Sequence, residues 1–210
     1  MKNFVIAIAR GFGSGGKYIG SLLSQELGIP CYDTQLPAML EEYSGINKAK
    51  FASRDEKLPV SYALMKLLPK ATTPYTPTPM EKEFVSDNNL FNIQAELIRE
   101  LARSRSCIII GKCANHILEN YHNVVSVYIE APRKVCVDNI TKHFGLTEGE
   151  AHTLIQKTDK YRADYYRYYT DGKIWTDPVA YHMTLNTAKV SRDHCTQLII
   201  NYLRLRGLCQ

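Results

Sequence analysis

Residues 4–20 read FVIAIARGFGSGGKYIG. An apolar run, residues 3–9, has the look of a buried strand. It gives way to a turn carrying Gly11, Gly13, Gly15 and Gly16 and closing on Lys17. From Gly16 to Leu27 the apolar residues Ile19, Leu22, Leu23 and Leu27 recur at helical spacing, Gly28 stops the pattern, and Pro30 follows. A strand, a glycine-rich turn and a helix bring several backbone N–H groups to one point, at the positive end of the helix dipole. That combination suits a phosphate. Gly11, Gly16 and Lys17 satisfy the Gly-x4-Gly-Lys spacing, in which the lysine reaches the outer phosphates. The hydroxyl residue that would follow the lysine and bind Mg2+ is missing: Tyr18 stands there, and Ile19 after it. Ser14, within the turn, is the remaining hydroxyl able to take part of a metal contact. The competing reading is a glycine-rich connection that holds no ligand.

Outward from this stretch, short apolar strands alternate with helical patterns. Strands are expected at residues 30–33, 107–111, 124–131 and 182–188. Helices are expected at about 35–44, 82–104, 132–144, 147–169 and 191–206, with ANHILENY, after residue 113, also helical. Leu90, Ile93, Leu97, Ile98 and Leu101 are spaced for one buried face. Such alternation argues for an α/β domain with a mostly parallel sheet and helices on both faces. The rhythm breaks over about 46–90, read as an insertion. Within it the Pro/Thr-rich stretch 69–80 has no apolar period and reads as a loop. Residues 145–180 form a helical excursion before the last strand.

The chain has 210 residues, 45% of them hydrophobic, and a net charge of +5. This suits one domain, or one domain with an inserted lobe. The modest positive charge fits anionic ligands, but no block of basic residues marks a dedicated nucleic-acid binder. The six cysteines form no Cys-x-x-Cys pair, and Cys31, Cys107 and Cys136 lie in apolar surroundings. A reducing, cytoplasmic compartment is expected. The histidines show no metal-ligand spacing. FVIAIA is too short for a secretory signal, and no segment has the length of a membrane span.

Several motifs occur in a fixed order: IARGFGSGGKYIG, LGIPCYD, CIIIGKCANHIL, DKYRADYYRYYT, and Trp175 with Tyr181 ahead of LNT. Together they resemble the cytidylate kinase-like family, relatives of the nucleoside monophosphate kinases, over nearly the whole chain. The resemblance implies a three-layer P-loop fold with a five-stranded parallel sheet. It also implies an inserted helical lobe for the acceptor, about 46–90, and a helical lid, about 145–180, within a single domain spanning 1–210. The implied activity is ATP-dependent phosphoryl transfer, with Mg2+, to a small acceptor, a nucleoside monophosphate such as CMP. The alternative is a catalytically impaired nucleotide-binding sensor or partner protein. Neither nucleic acid nor membrane is an expected partner, and assembly of identical chains is left open.

Carried over position by position, Gly11, Gly13, Ser14, Gly15, Gly16, Lys17 and Tyr18 would hold ATP, with Asn186 and Thr187 near the adenine. Asp33, Lys112, Asn115, Asp159 and Tyr166 would face the acceptor. Lys17, Arg162 and Asp33 would be the catalytic set, and Ser14 the candidate metal contact. The pattern differs from the family's at Tyr18 and Ile19, at Lys112 for Arg, at Asn115 for Asp, and at Cys136 and Asn139, where relatives often carry arginines.

The residues also allow other readings. Asp159, Arg162 and Tyr166 share a helix face at i, i+3 and i+7, as a functional lid or as a surface ion pair. Arg167 points away from that face and is read as solvated or paired with Asp164. Asp33 ends a strand where α/β sheets bind ligands. It can position a metal-bound water, accept a proton from an acceptor hydroxyl, or cap the following helix. YRADYYRYY can stack on bases, but a helix packed on both sides explains it more simply. Trp175 and Tyr181 are read as anchoring the lid's return to the sheet.

Overall fold

The computed structural model describes residues 3–33, 36–47, 49 and 87–210. The Pro/Thr-rich stretch 69–80, and most of the insertion read over 46–90, lie outside the described residues. The chain divides into two compact units. One comprises residues 1–33 and 99–210, the other residues 34–98.

The first unit is built on five parallel strands: β1 (Val5–Arg10), β2 (Cys31–Tyr32), β3 (Cys107–Ile110), β4 (Val124–Glu130) and β5 (Met183–Asn186). Their order in the sheet is β2-β3-β1-β4-β5. The central strand β1 pairs in register with both neighbours, Ile6 opposite Ile108 on one side and Val125 on the other. A parallel strand covered on both faces must be apolar throughout, and Val5 to Ala9 are all buried.

Ile6, Ile8, Ile108, Ile110, Val127 and Ile129 form one core with Ile19 and Leu23 of α1 (Gly16–Leu27). Helix α7 (Arg192–Leu205) adds Cys195, Ile199, Ile200 and Leu203 to the same core. Full burial of each large aliphatic side chain contributes about 1.5–3 kcal/mol. The short α4 (Ala114–Ile117) lies against β1 and β4. Helices α5 (Arg133–Phe144) and α6 (Glu148–Tyr169) pack on each other through Cys136, Val137, Ile140, Ala151 and Ile155. A capping box starts α6: Thr147 Oγ1 accepts from Glu150 N–H while the Glu150 carboxylate accepts from Thr147 N–H.

In the second unit, α2 (Leu36–Ser44) buries Leu36 and Leu40. Helix α3 spans Asp87–Ser104, and Leu90, Ile93, Leu97, Ile98 and Leu101 are all buried, as their spacing requires.

The five-stranded parallel sheet is as expected, and the differences from the sequence reading are local. ANHILENY is helical only over Ala114–Ile117. Beyond it, Glu119 N–H and Tyr121 N–H turn back to His116 and Leu118 carbonyls, three residues away. Strand β3 stops at Ile110, because Gly111, Lys112 and Cys113 all take positive φ, at 79°, 59° and 55°. Strand β5 ends at Asn186, whose side chain accepts from Ala188 N–H and turns the chain out of the sheet. Trp175 and Tyr181 pack on Tyr128 of β4 at 5.5 and 5.3 Å between centroids, and Tyr181 Oη donates to Trp175 O. All six cysteines are free. Among the described residues no helix is long and apolar enough to cross a membrane.

Candidate functional site

Strand β1 ends at the sheet's centre, and its last residue, Arg10, hands over to the glycine-rich turn. Gly13 sits at φ 87° and Gly15 at φ 91°, where a side chain is strained. Space is closed as well: a Cβ on Gly13 would stand 2.7 Å from the Cys136 carbonyl oxygen. Three side chains hold the loop's carbonyls. Ser14 Oγ donates to Gly11 O at 2.8 Å, Asn139 Nδ2 to Gly13 O at 2.8 Å, and Thr187 Oγ1 to Ser14 O at 2.7 Å. Asp159 Oδ1 accepts from Phe12 N–H at 2.8 Å.

The first intrahelical bond of α1 runs from Ile19 N–H to Gly15 O. The N–H groups of Gly13, Gly15, Gly16, Lys17 and Tyr18 therefore meet no acceptor among the described residues. With its carbonyls tied back and its N–H groups unspent, the turn is a cradle for an anion with several oxygens.

Two charged groups flank this cradle. Lys17 Nζ lies 3.1 Å from Asp33 Oδ2, and Arg10 Nη2 lies 3.4 Å from Asp33 Oδ1, so one carboxylate at the end of β2 spans both cations. On the other flank, Arg162 of α6 donates from Nη1 to Arg10 O at 3.1 Å and lies 3.5 Å from Asp159 Oδ1. Its guanidinium also sits 5.4 Å from the Phe12 ring centroid. Burial, then the nearby Arg10 charge, lowers the Arg162 pKa to about 10, so it stays a cation at neutral pH. Burial raises the Asp159 pKa, against the Phe12 N–H bond and Arg162, which lower it.

Lys17, Asp33, Asp159, Arg162 and Thr187 thus all adjoin the turn, directly or through Arg10. Ser14 is fully buried, with its hydroxyl committed to Gly11 O. The Tyr18 ring is 51% exposed and lies under the guanidinium of Arg192, 5.5 Å away. Asn186 caps the turn after β5. Lys112 sits in the left-handed segment after β3. Asn115 and Tyr166 are both buried and bond to each other, amide to phenol at 3.0 Å. They line a cavity of about 650 Å³ with His116, Glu119, Lys173 and His182. Asp164 pairs with Lys160, and Arg167 is exposed.

Arg10 and Arg192 carry little signal in the sequence. Arg10's only signal is its position directly before Gly11, and Arg192's is its place after the helix-capping Ser191. Among the described residues no cluster of three or more His, Cys, Asp or Glu is placed to hold a metal. Burial pushes the Cys31 and Cys136 thiols up to about 11 and Cys107 to about 12, which keeps them neutral packing groups.

A family profile described as the cytidylate kinase-like family matches residues 5–189. The fold is similar to an uncharacterized protein from Eubacterium ventriosum at TM-score 0.70 and 24% identity, covering 96% of this chain and 99% of that one. It is also similar to shikimate kinase from Bacteroides thetaiotaomicron, at TM-score 0.53 and 13% identity, over 96% and 98% of the two chains. A gluconokinase from Sinorhizobium meliloti gives TM-score 0.52 and 12% identity, over 97% of each chain. No curated protein sequence matches this chain.

Proposed function

Since the chain belongs to the cytidylate kinase-like family, we propose that it transfers a phosphoryl group from ATP to a small acceptor in the cytoplasm, with nucleoside monophosphates, CMP among them, as the acceptor class. The observation that carries this reading is the set of five N–H groups, of Gly13 and of Gly15 to Tyr18, that meet no acceptor among the described residues, beside the Lys17 ammonium.

In this reading the N–H groups bind the donor's phosphate oxygens, and Lys17 turns from Asp33 toward the outer phosphates. Phosphoryl transfer asks a protein mainly for positioning and charge neutralisation. Arg162 supplies the second cation, on the lid side. Its bonds to Arg10 O and Asp159 fix where the guanidinium stands. An acceptor oxygen attacks the terminal phosphorus, the bond to the bridging oxygen breaks, and that bridging oxygen leaves with the electron pair as part of ADP, its negative charge met by Lys17. Asp33 faces the acceptor and takes the proton where the acceptor is a hydroxyl. Bound Mg2+ would neutralise charge between the outer phosphates. Asp33, beside Lys17, would hold it directly or through a water, since Tyr18 brings no alcohol and Ser14's hydroxyl closes the turn.

One observation favours the second reading, a nucleotide-binding protein without turnover: the exposed aromatic ring of Tyr18 at the hydroxyl position. The test is ADP release over a panel of nucleoside monophosphates, nucleosides and small phosphorylatable metabolites, run beside ATP binding by thermal shift. Turnover with one acceptor, abolished by Lys17→Ala, supports the enzyme. Tight ATP binding with no turnover on any acceptor supports the binder. No stabilisation by any nucleotide overturns both.

A further inference from the structure

Arg192 opens α7, whose N-terminus is capped by Ser191 Oγ accepting from His194 N–H. Its side chain runs along the loop at Gly15. A Cβ at that position would stand 2.7 Å from Arg192 Nε and 3.3 Å from Cζ, so the missing side chain is what admits the arginine. The guanidinium ends 5.5 Å from the centroid of the Tyr18 ring. Tyr18 is therefore more than a lost hydroxyl: its ring is a platform for a cation, which a Ser or Thr could not provide.

The charges around the loop differ in one respect. Lys17 and Arg10 share Asp33, and Arg162 has Asp159. Among the described residues, Arg192 has neither a carboxylate partner nor an acceptor for its N–H groups; its contact is the Tyr18 ring. An unneutralised guanidinium thus stands beside the unspent N–H groups of Gly15 to Tyr18.

We infer that Arg192 is a phosphate-binding residue of the donor site. The Tyr18 ring holds it in place, and it contributes the positive charge that a hydroxyl-bound metal ion brings to loops ending in Lys-Ser or Lys-Thr. This rests on the donor-site reading above. A guanidinium presents a planar fork of N–H donors that matches phosphate oxygens two at a time. Donor binding by this protein therefore depends only weakly on a divalent cation.

The experiment measures equilibrium binding of ATP and of inorganic tripolyphosphate to the native protein, Arg192→Gln and Arg192→Lys, each with excess Mg2+ and with EDTA. The native protein is expected to bind ATP in EDTA within about threefold of its affinity with Mg2+. Arg192→Gln should weaken both ligands by about 10- to 100-fold in EDTA, the span expected for losing hydrogen bonds to a charged group. Arg192→Lys should recover part of this, having the charge without the fork. Melting temperatures without ligand should coincide for all three proteins, which separates a phosphate contact from a damaged fold. Unchanged ATP affinity in Arg192→Gln overturns the inference and leaves the donor site standing. So does a loss for ATP without one for tripolyphosphate, because the arginine would then touch base or sugar. A native protein that binds neither ligand in either condition overturns the donor site and this inference together.

Discussion

Asp159 ties the glycine-rich loop to α6, and removing it tests whether the loop is held from a distance. Its carboxylate accepts from Phe12 N–H at 2.8 Å and lies 3.5 Å from Arg162. A hydrogen bond to a charged group contributes about 1.5–3 kcal/mol. The ion pair is neither surface nor core, with side chains 23% and 19% exposed. Its worth falls between the ~0.2–1 kcal/mol of exposed pairs and the ~3–5 kcal/mol lost when a buried pair is broken. Against these stands the desolvation of the carboxylate itself, which raises its pKa and which substitution relieves. Asp159→Ala should therefore cost about 2 kcal/mol, and Asp159→Asn, which keeps an acceptor for Phe12 N–H, about 1 kcal/mol. For a chain of this size these losses lower the melting temperature by roughly 4–8 °C and 2–4 °C. ATP affinity should fall in the same order. The pH dependence has a definite sign. The native pKa lies above the unfolded 3.8, so the folded state holds the extra proton. The group's stabilising contribution is full below the unfolded value and is lost as pH rises through the native one. The deficit of Asp159→Asn should accordingly shrink as pH rises through that window. Melting curves followed by circular dichroism, from the unfolded value of 3.8 up to neutral pH, provide the measurement. Alanine and asparagine variants that both melt with the native protein and bind ATP normally would refute the anchoring role.

Gly13→Ala combines a left-handed φ of 87° with a Cβ 2.7 Å from the Cys136 carbonyl, whereas Gly28→Ala has φ 64° and open space. The first should lose well over the ~1–2 kcal/mol of left-handed strain, together with ATP binding, while the second loses only the strain. Urea unfolding measures both, and equal losses would count against the close approach of the loop to α5. Tyr166→Phe removes the Asn115 partner inside the fold and should cost about 1–3 kcal/mol with ATP affinity unchanged. A shift in ATP affinity beyond about twofold, small beside the tenfold that 1.4 kcal/mol represents, would place this pair in the donor site instead.

How much of this was legible before the fold followed from distance along the chain. The strand, turn and helix of residues 4–28 are readable because every signal in them is local: a continuous apolar run, four glycines in the turn, a helical stripe closed by Gly28. The parallel sheet followed from alternation. The contacts that shape the loop arrive from 126, 147 and 173 residues away, through Asn139, Asp159 and Thr187. In the sequence Asn139 stands out only as a departure from the family pattern; in the structure it donates to Gly13 O of the loop. Asp159 was read through its helix face with Arg162, and that pair exists, but its bond to Phe12 N–H has no local trace. Arg192 has a local signal only for its place at a helix start, not for its seat at the loop, because a cation seated against Gly15 is written in the absence of a side chain elsewhere.

These distant contacts explain how a loop without the usual hydroxyl keeps a definite shape. A backbone turn of successive N–H groups is costly, because its carbonyls and N–H groups must all be satisfied or left to water. Here Ser14, Asn139 and Thr187 take the carbonyls of Gly11, Gly13 and Ser14, and Asp159 takes the N–H of Phe12. The loop is therefore set by side chains from α5, α6 and the end of β5 before any anion arrives. Its N–H groups need no reorganisation on binding, which is the condition under which fixed dipoles stabilise charge most effectively. In such a loop the residue after the lysine is not required for shape. That leaves position 18 open to an aromatic side chain whose ring supports a guanidinium rather than a metal ion.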